Sequence, residues 1–176
     1  EHTEFKNDND DPNVFNWDGF YLKNNARRKG LEETMGIVQE FKKRGVQRFM
    51  ATPWSPPQYM KTNQAPNQGG FLRYDMTEEF AEYLAGIIIL VKNNYEIDLN
   101  WISMQNESIF VQFYRSCLYN PEMMREAVRS VMRKFKKEGI STKILINEDM
   151  MFADRILQGI KPTLEDPETS LFDGNI

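Results

Sequence analysis

The stretch Phe41-Lys42-Lys43-Arg44-Gly45-Val46 returns 94 residues later as Phe135-Lys136-Lys137-Glu138-Gly139-Ile140. Each copy has the chemistry of a helix that stops and hands over to a strand. Cations suit the carbonyl end of a helix, glycine suits the left-handed residue that closes it, and a β-branched residue opens extended chain. Working upstream from the first copy, Met35, Val38 and Phe41 fall at helical spacing after Gly30. Upstream of the second, Asn120 is placed to cap, Pro121 fits the first helical position, and Met124, Val128, Val131 and Phe135 share one face. Downstream, Val46 to Thr52 and Thr142 to Asn147 each read as a strand.

A third unit lies between the two copies. Thr77 is expected to cap a helix whose first turn holds Glu78 and Glu79 and whose buried stripe is Phe80, Leu84, Ile87, Ile88 and Val91. Asn93 and Asn94 are expected to end it, and Asp98 to Met104 reads as the next strand. A fourth helix is expected to begin near Met150. Residues 1–29 form a loop-rich lead-in, and residues 30–176 form repeated helix and strand units. Within the lead-in, the polar run Asn7 to Pro12 lacks the glycine and closing glutamate of an EF-hand loop and reads as an ordinary loop.

Strands alternating with amphipathic helices imply parallel pairing, because parallel neighbours need a crossover and a helix is the usual one. At roughly 45 to 50 residues per unit the chain holds about four, whereas a closed eight-unit barrel needs roughly 200 to 400 residues. The architecture is therefore either a small open α/β sheet or a piece of a barrel.

Composition narrows the chemistry. The 176 residues carry 22 basic and 26 acidic side chains, a net charge of −4, which offers no support for nucleic-acid binding. The apolar run from Gly86 to Val91 is far too short for a membrane span. One histidine (His2) and one cysteine (Cys117) exclude a Ser-His-Asp triad, a Cys-His nucleophile, a His/Cys zinc site and an internal disulfide. Cys117, with no histidine to activate it, reads as a small buried hydrophobe, and the ten methionines as core filler. The chemistry that remains must use carboxylates, hydroxyls, lysines or a bound cofactor; carboxylates are the natural choice among these, and no cofactor or metal is expected.

Three clusters stand at predicted strand ends: Pro53-Trp54-Ser55-Pro56-Pro57, Gln105-Asn106-Glu107 and Asn147-Glu148-Asp149. A carboxyl such as Glu107 beside a low-dielectric wall has its charged form disfavoured and can donate a proton near neutral pH. Asn106 offers an amide to a hydroxyl. Trp54, set among prolines, offers a flat face to a sugar ring or fills a gap behind the strand end. Phe110, Phe113, Tyr114 and Tyr119 either line a groove or form a satellite core.

Ala51-Thr52-Pro53-Trp54-Ser55-Pro56-Pro57-Gln58-Tyr59-Met60-Lys61 resembles the segment Ser-Pro-Trp-Ser-Pro-Pro-x-Trp-Met-Lys after the third strand of glycoside hydrolase family 30. Ser103-Met104-Gln105-Asn106-Glu107 is similar to that family's Ser-x-Gln-Asn-Glu-Pro after the fourth strand, with Ser108 in place of the proline. Tyr114-Arg115-Ser116-Cys117-Leu118-Tyr119 is similar to its Tyr-x-Ser-Cys-x-Trp, and the stretch ending in Glu148, with Leu164-Glu165-Asp166-Pro167 beyond it, also fits. The resemblance implies about units 2 to 5 of a (β/α)8 TIM barrel and retaining hydrolysis of β-glycosidic bonds in a polysaccharide, xylan-like as the first expectation. It implies Glu107 as general acid/base, Asn106 as partner of the sugar 2-hydroxyl, and Trp54 and Tyr114 as subsite walls. Glu148 is expected to line the site and help set the protonation of Glu107. The nucleophile is expected after the seventh strand, outside this chain, so that the isolated chain is inactive and its partners are the glycan and the remainder of the barrel. An extracellular or periplasmic location is implied. The alternative is a non-catalytic carbohydrate-binding protein on the same scaffold.

Overall fold

A computed structural model describes residues 9, 11–20, 31–146, 148–150 and 153–170. His2, Gly30 and Asn147 lie outside the described residues. The elements run α1 (Leu31–Lys43), β1 (Met50–Ala51), α2 (Thr77–Tyr95), β2 (Trp101–Ser103), α3 (Pro121–Glu138), β3 (Lys143–Leu145), α4 (Ala153–Leu164) and α5 (Pro167–Ser170). The three strands form one parallel sheet in the order β1-β2-β3, with Ala51 opposite Ile102 and Ile102 opposite Ile144. Each strand is reached through a helix, as the alternation of patterns requires.

The repeated hexapeptide makes the same structure twice. Val46 N donates to Phe41 O (3.1 Å) and Gly45 N to Lys42 O (3.0 Å); Ile140 N donates to Phe135 O (2.9 Å) and Gly139 N to Lys136 O (3.3 Å). These are the paired bonds of a Schellman cap, with both glycines at positive φ. The start of α3 is also as expected: Asn120 Oδ1 accepts from Met123 N at 2.7 Å, and Pro121 occupies the first helical position.

α2 departs from expectation at both ends. Thr77 is already helical and the cap position falls on Met76, because a 3-10 turn over Tyr74–Met76 leads the chain in; the Thr77 hydroxyl donates to Tyr74 O at 3.4 Å instead of capping. At the far end the helix runs past Asn93 and Asn94 to Tyr95. There Glu96 takes the left-handed position, and the Asn94 side chain donates back to Leu90 O (2.9 Å) within the helix.

The strands are shorter than the extended segments that carry them. At the strand entries side chains share the bonding with the backbone: Asn100 Oδ1 accepts from Phe49 N (2.9 Å) beside the backbone bond from Asn100 N to Phe49 O (2.9 Å), and the Thr142 hydroxyl donates to Leu99 O (2.9 Å) ahead of β2 and β3. A single core joins the sheet residues Ile102, Met104, Ile144 and Ile146 to Leu84 and Ile88 of α2 and to Val128, Val131 and Phe135 of α3. Six methionines (35, 60, 104, 123, 124 and 132) are buried in it, whereas Met50 and Met150 are exposed. The lead-in seats Phe20 against Gly86 of α2, where an added Cβ would lie 2.6 Å from the ring. Lys134 of α3 donates to Pro12 O (2.8 Å) and lies over the Phe15 ring. Among the described residues no helix is long and apolar enough to cross a membrane, and no three His, Cys, Asp or Glu side chains converge as a metal site.

Candidate active site

The β2–β3 register carries on past the strands. A parallel bridge joins Asn106 to Glu148, which keeps the offset of 42 residues seen between Trp101 and Lys143. The end of β1 joins them from the other side: Asn106 N donates to Pro53 O (3.0 Å) and Gln105 Nε2 donates to Trp54 O (2.9 Å). The three clusters picked out in the sequence therefore meet at one rim, the C-terminal end of the parallel sheet. This is where α/β folds collect functional groups.

Glu107 is 7% exposed and its backbone is left-handed, with φ of 51°. Such a conformation costs a non-glycine residue about 1 kcal/mol and persists only where surrounding structure enforces it. Here the enforcement comes from Asp149, whose carboxylate accepts from the Ser108 hydroxyl (2.9 Å) and from Ile109 N (3.1 Å). Ser108, where the related motif carries proline, thus gives the turn a bond that a proline side chain has no means to make. Phe110 N donates to Glu107 O (3.1 Å) and closes the turn.

Glu148 is half-buried and accepts from the Thr52 hydroxyl at 3.2 Å. Burial raises its pKa above the ordinary glutamate value, the negative neighbours Asp149 and Glu107 push the same way, and hydrogen bonds from Thr52 and Ser103 oppose them. The charge interaction with Glu107 brings the two carboxyls into one electrostatic site.

The aromatic set divides. Tyr119 is buried, whereas Phe110, Phe113 and Tyr114 are exposed, as is Trp54. The rings of Trp54 and Tyr114 lie 5.5 Å apart at 46°, so the two side chains, on the loops that follow β1 and β2, form one exposed surface.

Behind this surface, the loops after β1 and β2 are sewn together by Lys61. It is wholly buried, and its ammonium donates to Ala65 O and Ser116 O, both at 2.6 Å. Burial lowers its pKa. Cys117 is buried beside it, its thiol pushed up to about 12 by desolvation, in keeping with an inert hydrophobe.

Asp149, Thr52, Ser103 and Lys61 are the residues that sequence reasoning did not single out. Lys61 closes the first quoted motif, but no sequence signal marks a lysine for burial. Asp149 had only its place beside Glu148.

Two cavities flank the sheet, and neither is lined by Glu107 or Glu148. A cavity of about 620 Å³ lies at the opposite end of the strands, lined by Arg48, Asp98, Trp101 and Lys143. Another of about 500 Å³ runs along the free side of β1, from Leu31 and Val38 to Trp54.

The family model of O-Glycosyl hydrolase family 30 matches residues 9–159. No curated protein matches the sequence. Among solved structures, the catalytic domain of GH30 xylanase C from Talaromyces cellulolyticus aligns with a TM-score of 0.68 at 22% identity, over 77% of this chain and 33% of that one. The family 30 subfamily 8 xylanase from Clostridium acetobutylicum aligns with a TM-score of 0.66 at 25% identity, over 79% of this chain and 34% of that one. An endo-beta1,6-glucanase aligns with a TM-score of 0.73 at 22% identity, over 90% of this chain and 36% of that one. The chain spans about a third of the length of these structures, and its alternating helices and parallel strands are part of a (β/α)8 barrel.

Proposed function

The chain belongs to O-glycosyl hydrolase family 30, and from that premise we propose that it carries the acid/base half of a retaining β-glycosidase site acting on a polysaccharide, xylan-like in the first instance. The observation that carries the reading is Glu107: a buried glutamate in an enforced left-handed turn at the sheet rim, with the exposed pair Trp54 and Tyr114 on the loops that follow the same strand ends. Glu107 protonates the leaving glycosidic oxygen and then takes a proton from the attacking water. Asn106 holds the sugar 2-hydroxyl, and Trp54 and Tyr114 form the walls on which sugar rings stack. Glu148 lines the site beside Glu107, its own carboxyl held above the ordinary glutamate range by burial.

Retention requires a second carboxylate about 5–5.5 Å from the first, facing it across the anomeric carbon. Glu148 follows the neighbouring strand and so stands beside Glu107. The nucleophile is therefore assigned to a residue outside this chain, and residues 1–176 form one segment of the catalytic domain that needs the remainder of the barrel for turnover. The family reading also favours action outside the cytoplasm, in the extracellular or periplasmic space.

The test is Glu107→Gln in the full-length protein. Hydrolysis of unactivated β-glycans should fall by roughly 10²- to 10⁴-fold, the range for a lost general acid, with a much smaller loss on aryl glycosides whose leaving group needs no proton. Equal losses on both substrates would remove the acid role. Glycan binding by the wild type with no hydrolysis would leave the carbohydrate-binding alternative.

A further inference from the structure

We propose that Phe113 is a further sugar platform, one ring beyond Trp54 and Tyr114, and that it sets how strongly the site favours long glycans. The inference rests on the glycosidase reading and adds a binding residue to it.

Phe113 is the most exposed of the described aromatic side chains, at 85%. Its ring is nonetheless oriented, edge-on to Tyr114 at 5.0 Å and 85°, and Tyr114 in turn meets Trp54. The three rings form a continuous row, from Trp54 through Tyr114 to Phe113.

The backbone beneath Phe113 is fixed. Gln112 and Ser116, on either side, are both buried. Gln112 O accepts from Gln68 N (2.9 Å) and from the Ser116 hydroxyl (3.1 Å), and that hydroxyl oxygen also accepts from Gly69 N (2.9 Å). Lys61 adds its bond to Ser116 O. A mobile loop would fold such a ring down onto neighbouring apolar surface, whereas this loop presents it to solvent. An apolar ring held in place in this way loses little conformational entropy on docking a flat apolar face. The C–H face of a pyranose fits, and continuity with Trp54 and Tyr114 assigns it to a further ring of the glycan that those two side chains are proposed to hold.

The experiment compares wild type, Phe113→Ala and Phe113→Trp in the full-length protein. The substrates are β-1,4-xylo- and β-1,6-gluco-oligosaccharides from disaccharide to hexasaccharide. The readout is the ratio of kcat/KM for hexasaccharide to that for disaccharide, which is insensitive to the fraction of protein folded. Phe113→Ala should lower this ratio about three- to tenfold, the equivalent of one aromatic contact, mainly through KM for the hexasaccharide. Phe113→Trp should restore it. An unchanged ratio overturns the platform while leaving the glycosidase reading intact. If the wild type hydrolyses neither series, the glycosidase reading fails, and the platform is judged by quenching of tryptophan fluorescence on titration with the hexasaccharides. Weaker binding by Phe113→Ala then supports it, and equal binding, or none by the wild type, overturns it.

Discussion

Glu148 shows how one side chain links the site to the stability of the fold. Its carboxyl is half-buried between Thr52 on one strand end and the acidic pair Asp149 and Glu107, so ionising it is unfavourable in the folded chain. A folded-state pKa above the ordinary value of 4.5 means that the folded chain binds the proton more tightly than the unfolded one. That contribution is complete below the unfolded pKa and is lost as pH rises through the raised folded value. Glu148→Gln keeps an oxygen for the Thr52 hydroxyl and removes the charge. Thermal melts should therefore show wild type and Glu148→Gln alike near pH 4, with the variant gaining relative stability as pH climbs towards 7. Parallel profiles across that range would mean that the charge at this position is not penalised.

At the scale of elements, α3 is the piece to which the others are fastened. Arg129 donates to Asp166 Oδ1 (2.9 Å) at the start of α5 and to Glu126 Oε1 (3.0 Å), while Arg133 donates to Glu168 Oε1 (2.7 Å) and to Glu78 Oε1 (2.6 Å) of α2. Most of these charges are partly solvated and contribute little individually. Asp166 differs: it is buried, and the bond from Arg129 holds its carboxyl below the usual range. Arg129→Met strands that carboxylate, at a cost of about 2–3 kcal/mol, somewhat under the figure for a fully buried pair because the guanidinium is partly exposed. The wild-type advantage from Asp166 is present above its unfolded pKa near 3.8 and is lost as pH falls through the depressed folded value. Urea melts should show a gap between wild type and Arg129→Met that is wide at pH 7 and narrows in acid; a gap independent of pH would assign it to lost packing instead. How much of this was legible follows from the range of the interactions. The Schellman caps at Gly45 and Gly139 and the cap at Asn120 depend on neighbours within six residues, and their sequence signals hold. The start of α2 does not, because the 3-10 turn before Thr77 consumes the position from which a cap would act. The strands are shorter than their extended segments, because the side chains of Asn100 and Thr142 take part of the bonding at the strand entries. Motif resemblance singles out Glu107 and Trp54 as candidates, whereas the grip of Asp149 on the Glu107 turn spans 40 residues and has no local signature.

For the whole molecule, the governing fact is an incomplete sheet in a chain that covers about a third of the barrels it matches. Among the described residues β1 pairs only with β2, leaving its other edge free of strand partners. Along that edge runs the cavity of about 500 Å³, with Leu31, Met35 and Val38 of α1 on one wall and Tyr83, Ile87 and Val91 of α2 on another. α1 buries only Met35, and Ile37 and Phe41 are more than half exposed, so this helix has apolar surface still to cover. A parallel strand seated on β1 would satisfy both the ladder groups and the groove, which is the place that the remainder of a barrel is proposed to fill. Produced alone, residues 1–176 should accordingly self-associate, since an open strand edge beside an apolar groove recruits whatever strand is available. Met50, 53% exposed on that edge, gives the test. Met50→Lys places a charge where a neighbouring strand would pair and should shift sedimentation towards monomer without changing the helical circular dichroism signal. Co-production with the rest of the protein should compete for the same edge and reduce self-association of the wild-type segment. A wild-type segment that stays monomeric at high micromolar concentration would show that this edge is closed by the segment itself, and would remove the incomplete-sheet account of its behaviour.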